Sequence, residues 1–329
     1  MRIEFTLRAL ADPTRLRIMR LLAAMELAVG ELAQVLGQSQ PRVSRHVKIL
    51  IDAGLAERRK EGSWVFLKSA IGQNRAPPLG AATARLLAVS EEDDAGFAAR
   101  CDEDRRHLAA IRAAREDSAA DYFARHAAEW DQLRGLHSPD GPVEAALQAL
   151  LGEELGNLLD IGTGTGRIAE LLSSHAAAVT GLDNSPEMLR LARARLQHLP
   201  ADRLDLVQGD FAALPFADAS FDTAVFHQVL HYAQAPERVL AEAARVTRPG
   251  GTIAVVDFAA HEHEELRTAH AHARLGFTDE QMLAFLTEAG FAAAATPRAL
   301  AGTPLTVKIW TAKRLPAFAP ALANLKAPV

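Results

Sequence analysis

The sequence predicts two domains of different class. A small, mainly helical unit with a β-hairpin stands at the front, and an α/β unit around a largely parallel sheet follows it. Three observations carry this. At roughly 150 residues per domain, a chain of 329 residues favours two domains over one. The apolar pattern changes from short helical stripes to short apolar runs alternating with amphipathic segments, the pattern of β-α units. Charge is also divided: residues 1–80 hold 13 Lys/Arg against 7 Asp/Glu, whereas the remainder is strongly acidic within a total net charge of −5. A basic front on an acidic body suggests that only the front meets a polyanion.

Composition excludes several classes. A hydrophobic fraction of 49% and a charged fraction of 23% exclude a largely disordered chain. No apolar run approaches the ~18–20 residues of a membrane span. The first residues mix charged and apolar side chains without a small-residue cleavage site, so no secretory signal is expected. The single cysteine, Cys101, excludes an intramolecular disulfide and any multi-thiolate metal site. A cytoplasmic protein is the expectation.

The expected organisation is a small basic domain over 1–75, a helical linker region over 76–145, an α/β domain over 146–314 and a frayed tail over 315–329. At the front, Asp12-Pro13 caps a helix whose Leu16, Met19 and Leu22 recur at helical spacing. A second helix ends at Gly37, and Ser39 then opens a third. There Val43, Val47 and Leu50 point inward, and Gln40, Arg42, Ser44, Arg45, His46 and Lys48 form the opposite face. Arg and Gln suit base edges, Ser and Lys suit phosphates, and a donor-rich second helix after a tight turn predicts a helix-turn-helix. Gly54 ends that helix, and two strands follow around Gly62, with Arg58, Arg59 and Lys60 near the tip to meet the phosphate backbone. The motif reads as a winged helix-turn-helix.

The region 75–145 carries apolar residues at helical spacing, with breaks expected at Gly135 and Ser138-Pro-Asp-Gly-Pro142. Beyond it, Leu158-Leu-Asp160-Ile-Gly162-Thr-Gly164-Thr-Gly166 reads as a buried strand and a glycine-rich turn, where a ligand can approach the backbone closely. The G-x-G-x-G spacing differs from the G-x-G-x-x-G of dinucleotide sites. A second strand ends in Asp183, which can accept from two ribose hydroxyls; a third is followed by Gly209-Asp210-Phe211. Asp210 can accept from an exocyclic amine, with Phe211 and Met188 as apolar walls for adenine. The alternative for Asp183 and Asp210 is a buried structural acid.

The front resembles the ArsR/SmtB family of bacterial repressors, carried by Ala11-Asp-Pro-Thr-Arg-Leu-Arg-Ile, Ser39-Gln-Pro-Arg-Val-Ser-Arg-His-Val-Lys-Ile-Leu and Asp52-Ala-Gly-Leu. The resemblance implies a homodimer joined through the helices after the wing. Metal-sensing members carry a thiolate pair where this chain has Ala28 and Gly30, so no soft-metal site, and no bound metal, is expected. The body resembles the class I S-adenosylmethionine-dependent methyltransferases over roughly 157–312, which implies a Rossmann-like, seven-stranded, mostly parallel sheet with helices on both faces. It assigns Asp160, Gly162, Gly164 and Gly166 to the methionine portion of S-adenosylmethionine or S-adenosylhomocysteine, Asp183 to its ribose and Asp210 to its adenine. In related enzymes an N-terminal helix lies over the cofactor. Tyr122 and Trp130 are the lid candidates here, with helix packing as the equal alternative.

Catalytic residues are the least defined. His227 and His231, at the end of the fourth strand, can act as base or orient an acceptor, or can belong to a polar pocket loop. His261, His263, His270 and His272 read as a solvated helix rather than a metal site, since i and i+2 diverge on a helix. The expectation is a transcriptional regulator binding a double-stranded DNA operator, its affinity modulated by S-adenosylmethionine or S-adenosylhomocysteine. The alternative is an active methyltransferase for a small-molecule acceptor with an appended DNA-binding domain.

Overall fold

A computed structural model describes residues 3–24, 27–61, 64–71, 78–127, 130, 140–302 and 304–316. It divides into two compact units: Met1–Tyr122 with Ala260–Leu275, and Phe123–Ala259 with Gly276–Val329.

In the first unit, helix α1 (Ile3–Leu10) precedes α2 (Pro13–Ala24), where Pro13 needs no donor and Asp12 Oδ1 accepts from the Arg15 N–H at 3.1 Å. Strand β1 (Leu27–Ala28) leads into α3 (Val29–Leu36), which stops at Gly37 in the left-handed region (φ +63°). After the turn comes α4 (Gln40–Asp52), whose Val43, Val47 and Leu50 are buried against Ile18, Leu32 and Leu36. Gly54 (φ +69°) closes α4, with the Leu55 N–H returning to Leu50 O at 2.9 Å. The chain then forms β2 (Ala56–Glu61) and β3 (Trp64–Ser69), and β3 lies between β1 and β2 in an antiparallel three-stranded sheet. This is the winged helix-turn-helix expected from the sequence. Helices α5 (Pro78–Asp93) and α6 (Ala95–His126) follow; Arg20 of α2 pairs with Glu91 of α5, and Arg17 of α2 forks onto the buried Asp104 of α6 at 2.7 and 2.5 Å.

In the second unit α7 (Asp140–Leu151) begins inside the expected break, with Pro142 in its first turn, where a missing N–H costs nothing. Strand β4 (Gly156–Ile161), helix α8 (Arg167–Leu172), β5 (Ala176–Asp183), α9 (Pro186–Leu196), β6 (Leu204–Gln208), β7 (Phe221–His227), α10 (Pro236–Val246) and β8 (Thr247–Phe258) follow. After the short α11 (Glu265–Ala269), which belongs to the first unit, come α12 (Asp279–Glu288), β9 (Phe291–Ala293), β10 (Arg298–Leu300) and β11 (Val307–Arg314). The sheet order is β10-β11-β8-β7-β4-β5-β6, with β9 also on β11, so among the described residues eight strands form it rather than seven. The extra strand arises because β9 and β10 pair in turn along β11, each for three residues. β8, β7, β4, β5 and β6 are parallel and β11 is antiparallel. The two directions of winding part between β4 and β7, the switch point where open α/β sheets bind ligands at the carboxyl ends of their strands.

The histidine-rich segment departs from its expected helix. Only Glu265–Ala269 is helical; His261, His263, His270 and His272 flank it in irregular backbone, and His272 is buried. Residues 317–329, expected as a frayed tail, lie outside the described residues.

Candidate functional site

On the first unit, Gln40, Arg42, Ser44, Arg45 and Lys48 are exposed on α4. Gln40, Ser44 and Lys48 recur at four-residue spacing and, with Arg58 of β2, line a cleft of about 900 Å³. Glu31 and Gln34 of α3 lie on its other wall. His46 is half-buried and directed to the N-terminal end of α2, its Nδ1 3.7 Å from Asp12 Oδ1. Arg59 and Lys60 fall in β2, but their side chains lie outside the described residues.

On the second unit, the glycine turn joins β4 to α8. Gly162, Gly164 and Gly166 all have positive φ, at +72°, +53° and +81°. A side chain at Gly162 would collide with Val229, whereas the nearest atom facing Gly164 is Trp130 Nε1, 3.7 Å from where a Cβ would stand. Gly162 and Thr163 donate to Leu182 O at 2.8 and 2.9 Å, and Gly164 donates to Asp183 Oδ2 at 2.9 Å. The turn is thus tied to the end of β5, and Asp160, the three glycines and Asp183 converge. Met188 is buried, its N–H on the Ser185 hydroxyl at 3.3 Å. Gly209 donates to Asp183 O at 3.0 Å, which places the next turn beside this one. In that turn Asp210 is exposed and accepts from the Ala212 N–H at 2.8 Å, while Phe211 packs half-buried on the core.

The two strand-end acids differ from surface carboxylates. Asp160 is 1% exposed and takes hydrogen bonds from the Thr163 hydroxyl at 2.7 Å and the Ala169 backbone. Burial pushes its carboxyl up to about 6. Asp183 is likewise held above the usual range by burial, against the N–H groups of Ser185 and Gly164. An alkylammonium suits Asp160, since a cation offsets a buried carboxylate, and a vicinal diol suits Asp183. These residues fit an adenosyl amino acid: an ammonium at one acid, a ribose at the other, and bare backbone between.

Sequence reasoning missed three contributors. Asp257, at the end of β8, is fully buried; its Oδ1 receives His231 Nδ1–H at 2.8 Å and its Oδ2 the His231 backbone N–H at 3.1 Å. Its position as another strand-end acid was the available signal. Phe123 and Tyr232 pack edge-to-face at 4.8 Å, and Trp130 lies 5.2 Å from Phe123 and 6.5 Å from Tyr232. The lid candidate Trp130 is therefore joined by Phe123, one residue after Tyr122, whose own side chain lies outside the described residues. His227 and His231 are both buried, and His231 is only 1% exposed. Cys101 is buried and its thiol pushed up by that burial. Among the described residues no group of three or more His, Cys, Asp or Glu could hold a metal ion, and no helix is long and apolar enough to cross a membrane.

Comparisons with known proteins agree with the two units. Residues 12–58 match the bacterial regulatory protein arsR family, and residues 159–255 match the methyltransferase domain family. Phosphatidylethanolamine N-methyltransferase of Cereibacter sphaeroides is 40% identical over 108 residues, covering 32% of this chain and 53% of the relative. Demethylmenaquinone methyltransferase of Tropheryma whipplei is 40% identical over 107 residues, covering 32% and 42%. Malonyl-[acyl-carrier protein] O-methyltransferase of Methylococcus capsulatus is 37% identical over 139 residues, covering 38% and 50%. The chain spans about half the length of the curated relatives it matches. Among solved structures, a Burkholderia thailandensis 1,6-didemethyltoxoflavin-N1-methyltransferase with bound S-adenosylhomocysteine is 22% identical with TM-score 0.47, covering 60% of this chain and 87% of that one. A Mesorhizobium loti S-adenosylmethionine-dependent methyltransferase is 22% identical with TM-score 0.46, covering 53% and 99%. Within one chain, residues 12–58 thus match an arsR-family helix-turn-helix and residues 159–255 a methyltransferase domain.

Proposed function

We propose that this chain is a cytoplasmic, homodimeric transcriptional regulator of the ArsR type. Its methyltransferase-like domain binds S-adenosylmethionine or S-adenosylhomocysteine, without a metal, and thereby changes affinity for a double-stranded operator. The observation that carries the reading is the pairing, in one chain, of two features. One is a donor-rich α4 whose Arg42, Arg45 and Lys48 make no ion pair among the described residues. The other is a glycine turn set between a buried strand-end acid, Asp160, and a half-buried one, Asp183. The burial of His227 and His231 favours ligand binding over turnover, because a general base must reach its proton. The exposed Ile3, Phe5 and Leu7 of α1 and Leu86 and Val89 of α5 support self-association.

Fluorescence anisotropy tests this directly, on DNA fragments that the protein itself selects from its host genome, at fixed salt. A shift in DNA affinity of tenfold or more, equivalent to about 1.4 kcal/mol of coupling, is expected with one cofactor form. Equal affinity without ligand and with either form overturns the reading.

The alternative, an active methyltransferase for a small-molecule acceptor, is favoured by one feature. Asp257 assigns the His231 proton to Nδ1, which leaves Nε2 as the basic nitrogen. The matched relatives are named for phosphatidylethanolamine, demethylmenaquinone and malonyl-[acyl-carrier protein], so the likeness supports the cofactor and selects no acceptor. Release of S-adenosylhomocysteine on adding an acceptor would establish this alternative.

A further inference from the structure

The chain leaves the α/β unit after Ala259 and re-enters it at Gly276, and the stretch between, Ala260–Leu275, belongs to the winged-helix unit. The ends of this excursion are clamped together. Ala259 bridges Phe277, and the Phe277 N–H donates to Phe258 O at 2.9 Å. One step outward, the His261 N–H donates to Leu275 O at 3.0 Å. Gly276 sits at φ +74°, and any side chain there would strike the Ala259 carbonyl. The result is a closed Ω-type loop with a hydrogen-bonded neck.

The neck grows from the carboxyl end of β8. Because β4, β5, β7 and β8 are parallel, the glycine turn, Asp183 and the 228–232 turn all lie along that same edge. Asp257 ties the two directly: it holds His231 at 2.8 Å and accepts the Phe258 N–H at 2.8 Å. On the other side of the neck, two residues before Gly276, Arg274 is 1% exposed, and its guanidinium lies 4.2 Å from the centroid of the Phe66 ring. Phe66 is itself 3% exposed in β3, with Cα partners Ala28 in β1 and Arg59 in β2. A planar guanidinium over an aromatic face is an orientation-dependent contact, unlike an aliphatic one.

We propose that Arg274, stacked on Phe66, is the positioning residue through which a ligand at the glycine turn alters the wing and so the affinity for DNA. A shift at the β8 edge reaches Arg274 along the clamped neck, and the Phe66 ring carries it to the strand pair bearing Arg58 and Arg59. The inference rests on the ligand-responsive DNA binding proposed above. It requires two arrangements of the neck that ligand and DNA favour differently.

The test uses the full chain with S-adenosylhomocysteine and S-adenosylmethionine as probes. DNA affinity is read by anisotropy with and without saturating probe, and probe affinity by calorimetry. In Arg274→Met, Arg274→Lys and Phe66→Leu, the ligand-induced change should fall from about tenfold to below about twofold. Probe affinity and ligand-free DNA affinity should each stay within about threefold of wild type. Hydrogen exchange of β3 amides should respond to probe in wild type and not in the variants. Arg274→Lys and Phe66→Leu keep a buried cation or an apolar side chain, so they carry the test if Arg274→Met does not fold. A full ligand response in Arg274→Lys and Phe66→Leu overturns this proposal alone. A wild-type chain that binds the probe without any change in DNA affinity overturns the sensor reading and this proposal with it.

Discussion

Asp160 shows how one side chain reports on the site. Its folded-state value of about 6 lies above the ordinary 3.8, so the native state binds the extra proton between those limits. Stability therefore falls as pH rises from about 4 to 6, and above that window the group costs about 3 kcal/mol, taking 1.36 kcal/mol per unit. Asp160→Asn keeps an oxygen for Thr163 and the Ala169 N–H and removes the buried charge. The ligand-free variant is expected to melt at or above the wild-type temperature at pH 7.5, with the difference closing toward pH 4. Its affinity for S-adenosylhomocysteine should fall at least about tenfold, the loss of one charge-assisted hydrogen bond. In the wild type that affinity should also weaken below about pH 6, as the carboxylate protonates. Melting curves and calorimetry across this range decide it; a variant that melts lower and binds the ligand unchanged would make Asp160 a purely structural acid. The strand-end acid and its glycines were legible because their spacing is local. The burial that raises Asp160 was not, because it comes from β5 and β7 closing on either side of β4, tens of residues away in sequence.

At the scale of the element, α4 presents side chains for two kinds of proposed DNA contact that can be separated experimentally. Lys48 suits a phosphate, so Lys48→Ala should weaken binding about equally on all sequences and lower the slope of log affinity against log salt by about 1. Gln40, at the start of the helix, suits a base edge, so Gln40→Ala should cost about 1–3 kcal/mol on the preferred site and relax selectivity there. A Lys48→Ala slope identical to wild type would remove that residue from the interface. This helix was readable in full: the turn after Gly37, the inward stripe at Val43, Val47 and Leu50, and the stop at Gly54 are all local signals. His46 was read as a donor from helical position alone, and its neighbour Asp12 lies in the turn before α2, far away in sequence. The segment Ala260–Leu275 was misread for a similar reason. Its local pattern suggested a solvated helix, but its structure follows from the clamped neck and from Arg274 on Phe66, a pairing of residues far apart in sequence. Strand β10 was missed because three residues pairing along β11 leave no periodicity to detect.

For the whole molecule, the question is how many copies meet DNA. A single recognition helix occupies one major-groove segment, and two-fold pairing of such helices matches two half-sites a helical turn apart. The large exposed apolar side chains fall mainly on two helices of the first unit, Ile3, Phe5 and Leu7 on α1 and Leu86 and Val89 on α5. Burying such side chains against a second copy removes a cost that the isolated chain carries in water. A stable interface needs about 1,200 Å² or more in total. Sedimentation of the full chain should therefore give twice the chain mass at micromolar concentration. Phe5→Lys combined with Leu86→Lys should give single chains and weaken DNA binding at least about a hundredfold, because both half-sites are no longer held together. The glycine turn lies in the other unit, so calorimetry of the double variant with S-adenosylhomocysteine should match wild type. Charge supplies an independent reading. The basic excess is confined to the first 80 residues, while the whole chain is at −5. Pairing two copies doubles the phosphates neutralised without changing the chemistry of any contact, so the double variant should show about half the wild-type salt slope. An unchanged slope in a chain that sediments as a monomer would mean that one copy makes the full set of phosphate contacts, and the dimer would then play no part in DNA recognition.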